Sequence, residues 1–167
     1  MSAPTRRLVS PLLTLLLIAG GVVALGSHPV HGQAAPDIAV VVHPGVAVDN
    51  LSLADLRRVL LGDREFWSAG LRVVLLIRAP VARERDAAVR TVCQMTEAQF
   101  RQHWIGKVFR ADTPTGPRIV YSADLAIEQV RRTPGALAFI EMPVTAKDVK
   151  VLKIDGRAPG QAGYAIR

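Results

Sequence analysis

The sequence is poor in cysteine and in aromatic residues. It contains one Cys, two Trp, two Tyr and four Phe in 167 residues. A single cysteine excludes an intrachain disulfide framework and any zinc ribbon built from several thiolates. The aromatic residues fall mostly in apolar stretches, and no run of Lys or Arg exceeds two residues. Although the net charge is +7, this pattern argues against nucleic acid as a partner, which needs a basic surface with stacking platforms.

The common catalytic motifs are absent as well. The sequence has no Gly-x-Ser-x-Gly, no phosphate-binding P-loop, no Gly-x-Gly-x-x-Gly and no His-Glu-x-x-His. His43 and His103 lack the spacing of metal ligands. We therefore predict a protein that is not an enzyme and that holds neither a cofactor nor a metal ion.

The sequence begins with a pattern typical of export. Arg6 and Arg7 form a basic start, residues 8–25 are mostly apolar, and small residues follow. These are the parts of a secretory signal, so we predict a signal peptide over residues 1–34, with Gly26 as the second candidate for cleavage. The alternative is an uncleaved membrane anchor, because the apolar run is long enough to cross a hydrocarbon core of about 30 Å.

Export sets the compartment of the remaining domain, residues 35–167. We expect this domain in the periplasm or outside the cell, where conditions are oxidising. Cys93 has no second cysteine to pair with and follows Val89 and Val92 on one face of a predicted helix. The pattern favours burial of Cys93 as a small apolar residue over a reactive thiol.

Residues 35–167 alternate between predicted strands and helices. Short β-branched runs bounded by turn residues predict strands, and Ser, Thr or Asp before an apolar stripe predicts the start of a helix. The predicted strands are Ile38–Val42, Leu71–Ile77, Arg118–Tyr121, Ala136–Ile140 and Lys150–Ile154, and the predicted helices start near Ser52, Arg83, Thr96 and Ser122. Helical connections between strands imply parallel pairing with helices on both faces. We therefore predict an α/β fold with three αβα layers and a mostly parallel sheet.

One cluster of charged residues follows a predicted strand. Arg78 ends that strand, and Arg83 and Arg85 open the next helix. In α/β sheets, ligands bind at the carboxyl ends of strands beside helix starts, and guanidinium groups there can hold an oxyanion. Glu84 and Asp86 occupy the same first turn, so the alternative is a set of structural salt bridges at the positive end of the helix.

Several segments occur in an order and spacing that match a known family. These segments are Leu51–Leu56, Val59–Gly62, Trp67, Gly70, the strand-ending Arg78, Arg85–Ala87, Trp104–Phe109, Ser122, Pro134–Ile140, Val149–Gly156 and Tyr164. Together they resemble the phosphate ABC transporter substrate-binding proteins, which are type II periplasmic binding proteins. The resemblance runs from about Ile38 to the C-terminus and implies a periplasmic-binding-protein-like domain.

The resemblance also implies a function and a site. It implies non-catalytic binding of phosphate or a related oxyanion, with an ABC permease as partner. Arg78 matches the strand-ending Arg of the family, Arg83 and Arg85 would assist it, and Ser52 would donate from the cap of the first helix.

Two departures from the family open a second hypothesis. Full-length members are about twice this size, and their Ser-Gly-Thr turn is replaced here by Ala82-Arg83-Glu84, which loses both hydroxyls and adds a carboxylate. The alternative function is an envelope accessory or protein-interaction module that keeps the scaffold but has lost the small ligand.

Overall fold

The computed structural model describes residues 35–68, 70–113 and 116–167. The predicted signal peptide over residues 1–34 lies outside the described residues. In chain order the elements are β1 (Ile38–Val42), β2 (Asn50–Leu51), α1 (Leu53–Leu60), β3 (Phe66–Ser68), β4 (Leu71–Arg72), β5 (Val74–Arg78), α2 (Arg83–Asp86), α3 (Glu97–Phe109), β6 (Arg118–Val120), α4 (Ala123–Arg132), β7 (Ala136–Glu141), β8 (Lys150–Val151) and β9 (Lys153–Ile154). Between α2 and α3 the chain continues as a π-helix over Ala87–Val92.

Three helices begin at the hydroxyl residues that the sequence indicates. The side chains of Ser52, Thr96 and Ser122 each accept a hydrogen bond from a backbone N–H in the first turn of α1, α3 and α4. At Thr96 the side chain of Gln99 bonds back to the backbone, which completes a capping box. These predicted helix starts are confirmed. Helix α2 differs, because Ala82 precedes it and has no side chain that can cap it.

The central sheet has the strand order β6-β5-β7-β1-β8. Strand β5 is parallel to both β6 and β7, whereas β1 is antiparallel to β7 and to β8. Four strands therefore point one way and β1 points the other. The predicted mostly parallel sheet is confirmed, with β1 as the exception. The connection from β1 to β5 contains β2, α1 and the β3–β4 pair rather than one crossover helix, so the rule for parallel βαβ units does not constrain it.

The sheet is covered by helices on both faces. All five residues of β1 are buried, and they alternate between two apolar clusters because successive side chains of a strand point to opposite faces. Ile38, Val40 and Val42 join the cluster formed with α1, the π-helix and Phe100 of α3. Ala39 and Val41 join the cluster formed with α4. The predicted three-layer αβα architecture is confirmed.

Residues 164 and 166 form hydrogen bonds with the start of β1. The backbone N–H of Ile38 donates to the carbonyl of Ile166 at 2.9 Å, and the hydroxyl of Tyr164 donates to the carbonyl of Ile38 at 2.9 Å. Burial, assisted by the charge of Asp37, raises the pKa of Tyr164 above its usual range. Within the described part of the chain, no helix is both long and apolar enough to span a membrane.

Candidate anion site

The carboxyl ends of β5 and β7 place the site. Because these strands are parallel, Arg78 at the end of β5 and Glu141 at the end of β7 reach the same edge of the sheet. The chain turns between Arg78 and α2 through Val81, which is fully exposed and has a φ of 68°. A β-branched residue rarely adopts this left-handed conformation, so the backbone is strained in the turn that connects β5 to α2.

The guanidinium of Arg78 is the most distinctive group at this edge. Its side chain is only 16% exposed, and its Nε lies 3.6 Å from Oε1 of Glu84, whose side chain is 8% exposed. This distance allows an ion pair but exceeds that of a hydrogen bond. The buried Nε and Nη1 atoms of Arg78 have no hydrogen-bond partner among the described residues. Unsatisfied buried donors are costly, so an oxygen acceptor at these two nitrogen atoms, which carry three N–H groups between them, would be favourable.

Arg83 lies at the same edge but is partly engaged. Its Nη1 lies 3.0 Å from Oε1 of Glu141, an ion pair that lacks hydrogen-bond alignment. Its Nη2 donates to the backbone carbonyl of Pro36. About a third of the Arg83 side chain is exposed. Arg83 therefore supplies positive charge beside Arg78 while it connects α2 to the end of β7 and to the segment before β1.

Arg85 is held by structural contacts. Its Nε and Nη2 donate to the two carboxylate oxygens of Glu97 at 2.9 and 2.6 Å, and its Nη1 donates to the backbone carbonyl of Arg78 at 3.0 Å. The guanidinium also lies over the ring of Phe100, 5.8 Å from its centre. Bidentate pairing with a carboxylate and stacking over an aromatic ring are among the strongest contacts that a guanidinium makes. Of the two interpretations of the arginine cluster, salt bridging describes the observed contacts of Arg85.

Ser52 is placed in a different group of contacts. Its Oγ accepts from the backbone N–H of Asp55 at 3.0 Å and donates to Oδ2 of Asp55 at 2.8 Å. The next residue, Leu53, donates its N–H to Asp155 in the loop after β9. The structure thus brings Arg78, Arg83 and Arg85 together and holds Ser52 in the cap of α1.

The sequence does not identify two carboxylates of the site as partners of the arginines. Glu141 and Glu97 come from β7 and α3, far along the chain from the arginines that they contact. The signal for Glu141 was present, because it directly follows a predicted strand that is parallel to the strand ending at Arg78. For Glu97 the only sequence signal was its place in the first turn of a capped helix, which does not identify Arg85 as its partner.

The predicted burial of Cys93 is confirmed, since its side chain is completely buried. Burial raises the pKa of the Cys93 thiol to about 12, so the reactive thiolate is scarce at neutral pH. In the described ranges, no group of three or more His, Cys, Asp and Glu side chains forms a cluster that could hold a metal ion.

Comparison with known proteins gives a match in structure but not in sequence. No protein-family model and no curated protein matches the sequence. A phosphate ABC transporter substrate-binding protein with bound phosphate from Clostridium perfringens matches with a TM-score of 0.61 and 18% identity, over 75% of this chain and 48% of that chain. The fold is that of the phosphate ABC transporter substrate-binding proteins.

Two further structures agree with this fold. PstS from Borrelia burgdorferi gives a TM-score of 0.63 and 15% identity, over 80% of this chain and 55% of that chain. An ABC-type phosphate transport receptor from Vibrio cholerae gives 0.59 and 19%, over 75% of this chain and 49% of that chain. This chain spans about half the length of the substrate-binding proteins that it resembles. At these identities the likeness establishes the architecture alone.

Proposed function

We propose that this chain is an exported, non-catalytic domain that binds phosphate or a related oxyanion at Arg78 and works with an ABC permease. The observation that carries the proposal is the buried guanidinium of Arg78, whose Nε and Nη1 have no hydrogen-bond partner among the described residues. The fold supports it, because one neighbour of the same fold contains bound phosphate. The predicted signal over residues 1–34 supports export to the periplasm or the cell exterior.

Each arginine has its own part in this proposal. Arg78 provides the main charge and two donor nitrogen atoms, Nε and Nη1, and Arg83 adds a second positive charge from α2. Arg85 positions Arg78, because it holds the backbone carbonyl of Arg78 while it is anchored on Glu97. The cap of α1 occupies Ser52, so a direct contribution from Ser52 requires that its bond to Asp55 be exchanged for one to the ligand.

Glu84 determines which oxyanions are accepted. A carboxylate about 4 Å from a bound anion repels it by roughly 4 kcal/mol per pair of unit charges at an effective dielectric of 20. A ligand that carries a proton avoids part of this repulsion, because it can donate a hydrogen bond to the carboxylate. Monohydrogen phosphate carries such a proton at neutral pH and sulfate does not. We therefore expect modest affinity with a preference for phosphate over sulfate.

Calorimetric titration of the purified protein with phosphate tests the proposal. We expect saturable heat at millimolar phosphate or below in the wild type, and its loss in Arg78→Gln. The matched control is Arg58→Gln on α1, which removes the same charge from a side chain that is 61% exposed. Circular dichroism establishes whether Arg78→Gln is folded. No heat in the wild type at millimolar phosphate contradicts the proposal.

A second candidate function is an envelope accessory module without a small ligand. It is favoured by the ion pairs of the site, because Glu141 pairs with Arg83 and Glu97 pairs with Arg85, so less charge remains for an anion. Thermal shift assays with phosphate, combined with affinity capture from envelope extracts, separate the two functions. A shift of several degrees with phosphate and no captured protein argues against the accessory module.

A further inference from the structure

An open apolar groove lies next to α3, and Arg78 is not among its lining residues. It has a volume of about 470 Å³, within the range of about 300 to 1,000 Å³ that is usual for small-molecule sites. Helix α3 forms one wall, and the ends of β5 and β6 form the other. The main apolar lining residues are Ile77, Phe100, Trp104, Ile105, Val108 and Ile119.

The groove leaves an apolar surface open to solvent. The sequence predicts that Phe100, Trp104 and Val108 form one stripe on α3. Of these only Phe100 is fully buried, while Val108 is exposed, Ile105 is 54% exposed and Phe109 is 91% exposed. A cluster of large apolar side chains exposed on one surface marks a binding site more often than a chance arrangement. Phe100 belongs to the core and Trp104 packs against it, so the exposed side chains of Ile105, Val108 and Phe109 form the open part of the groove.

The polar groups of the groove are all hydrogen-bond donors. Arg101 lines it and has no ion pair or hydrogen bond within the described ranges. Trp104 also lines it, and its indole N–H is buried without an acceptor there. The second guanidinium, that of Arg85, is already neutralised by Glu97. None of the described lining residues is acidic. The groove therefore has one uncompensated positive charge beside an apolar wall.

We propose that this groove binds an amphipathic monoanion, a carboxylate on a medium-length acyl chain. The acyl chain lies along the apolar wall of α3 and β6, and the carboxylate pairs with Arg101 at the rim. Arg101 is exposed, so the carboxylate keeps part of its hydration and its desolvation cost stays low. Burial of the chain supplies the affinity, and the charge supplies the preference for an acid over a neutral chain.

A chain-length series tests the acyl part of this proposal. The full-length protein is titrated calorimetrically with hexanoate, octanoate and decanoate, each below the concentration at which it forms micelles. If the methylenes are buried, affinity should rise up to about fourfold for each one added, which corresponds to about 0.8 kcal/mol. Decanol should bind more weakly than decanoate. Affinity that does not depend on chain length, or equal binding of decanol and decanoate, overturns the proposal.

Surface variants test the position of the ligand. Ile105→Glu places a carboxylate in the groove at a side chain that is 54% exposed, so the fold should survive while decanoate binding is lost. The matched control is Leu125→Glu, which makes the same apolar-to-acidic change at a 40% exposed residue of α4. This residue lies on the other face of the sheet. Arg101→Gln should remove the preference for decanoate over decanol, whereas Arg58→Gln should retain it. Wild-type binding in Ile105→Glu overturns the proposal.

Two further measurements separate this ligand from other occupants. Flotation with phosphatidylglycerol vesicles tests a lipid surface, and light scattering over a range of protein concentrations tests a second copy of the chain. Binding to vesicles, or a dimer that Ile105→Glu disrupts, overturns the proposal if free decanoate does not bind. Phosphate should not compete with decanoate, because its proposed donors belong to Arg78. A loss of phosphate binding alone thus leaves the groove proposal intact.

Discussion

Nε of Arg78 lies 3.6 Å from Oε1 of Glu84, and both side chains are largely shielded from solvent. The pair places a cation with free donors and an anion side by side at the end of β5. Under the proposed function, an anion bound at Arg78 would also meet the charge of Glu84, so we expect the carboxylate to affect which anions bind. This relationship leads to the first prediction.

Glu84→Gln should weaken the preference for phosphate over sulfate. The amide removes the negative charge that repels every anion, and sulfate gains most because it has no proton to donate to the carboxylate. We expect sulfate affinity to rise by about tenfold or more, while phosphate affinity changes less. Competition calorimetry with both anions measures the ratio. Asp86→Asn, an exposed change in the same helix, is the control, and an unchanged ratio in Glu84→Gln contradicts the assigned role of Glu84.

Arg85→Ala should destabilise the fold. The substitution removes the two bonds to Glu97, the bond to the Arg78 carbonyl and the contact with Phe100, and we expect a loss of about 2 kcal/mol in the free energy of unfolding. Arg85→Lys should recover less than half of it, because an ammonium cannot bond both oxygens in the same geometry. Urea denaturation measures the loss. Arg90→Ala breaks an exposed pair with Asp86 and should cost about 0.5 kcal/mol; equal losses in the two variants contradict this prediction.

The stability of the protein should fall at alkaline pH through Cys93. Burial raises the pKa of its thiol from 9.0 to about 12, so between these values the unfolded chain releases a proton that the folded chain retains. The free energy of unfolding therefore decreases as pH rises through this window, by up to about 1.4 kcal/mol per pH unit from this group. Below pH 9 the contribution is complete. Denaturation at several pH values should show a shallower decline in Cys93→Ala than in the wild type, and identical slopes contradict the prediction.

Gly135→Ala should be severely destabilising. Gly135 has a φ of +76°, and an added Cβ would lie 2.0 Å from the backbone oxygen of Arg72. The turn cannot shift freely, because the Gly135 carbonyl accepts from both Trp67 and Val74. We expect a loss of more than about 3 kcal/mol. Gly156→Ala is the matched control, since its φ is +78° and nothing lies within 4 Å of its added Cβ; it should cost about 1 kcal/mol in thermal or urea denaturation.

Local features of the fold were predictable from the sequence, and relations between distant elements were less so. Ser52, Thr96 and Ser122 mark helix starts because a capping side chain acts within one turn. The three arginines meet because they lie within eight residues of one another. The direction of β1 was not predictable, since a buried run such as Ile38–Val42 has the same composition in either orientation.

The same distinction explains what was missed at the site. Glu141 and Glu97 reach their arginines only after β7 and α3 are packed, which no local pattern describes. The apolar stripe on α3 shows a second limit of prediction from sequence. Apolar spacing predicts that one face of a helix avoids water, but it does not state whether the chain itself covers that face. Phe109 is apolar and almost fully exposed.

The bond between Ile38 and Ile166 has a consequence for protein engineering. Residues 38 and 166 lie at neighbouring points, so a short polar linker can join the segments beside them and new termini can be opened elsewhere. A reporter fused at either end would occupy the same region of space, and a cut in an exposed loop would yield a rearranged chain with the original shape.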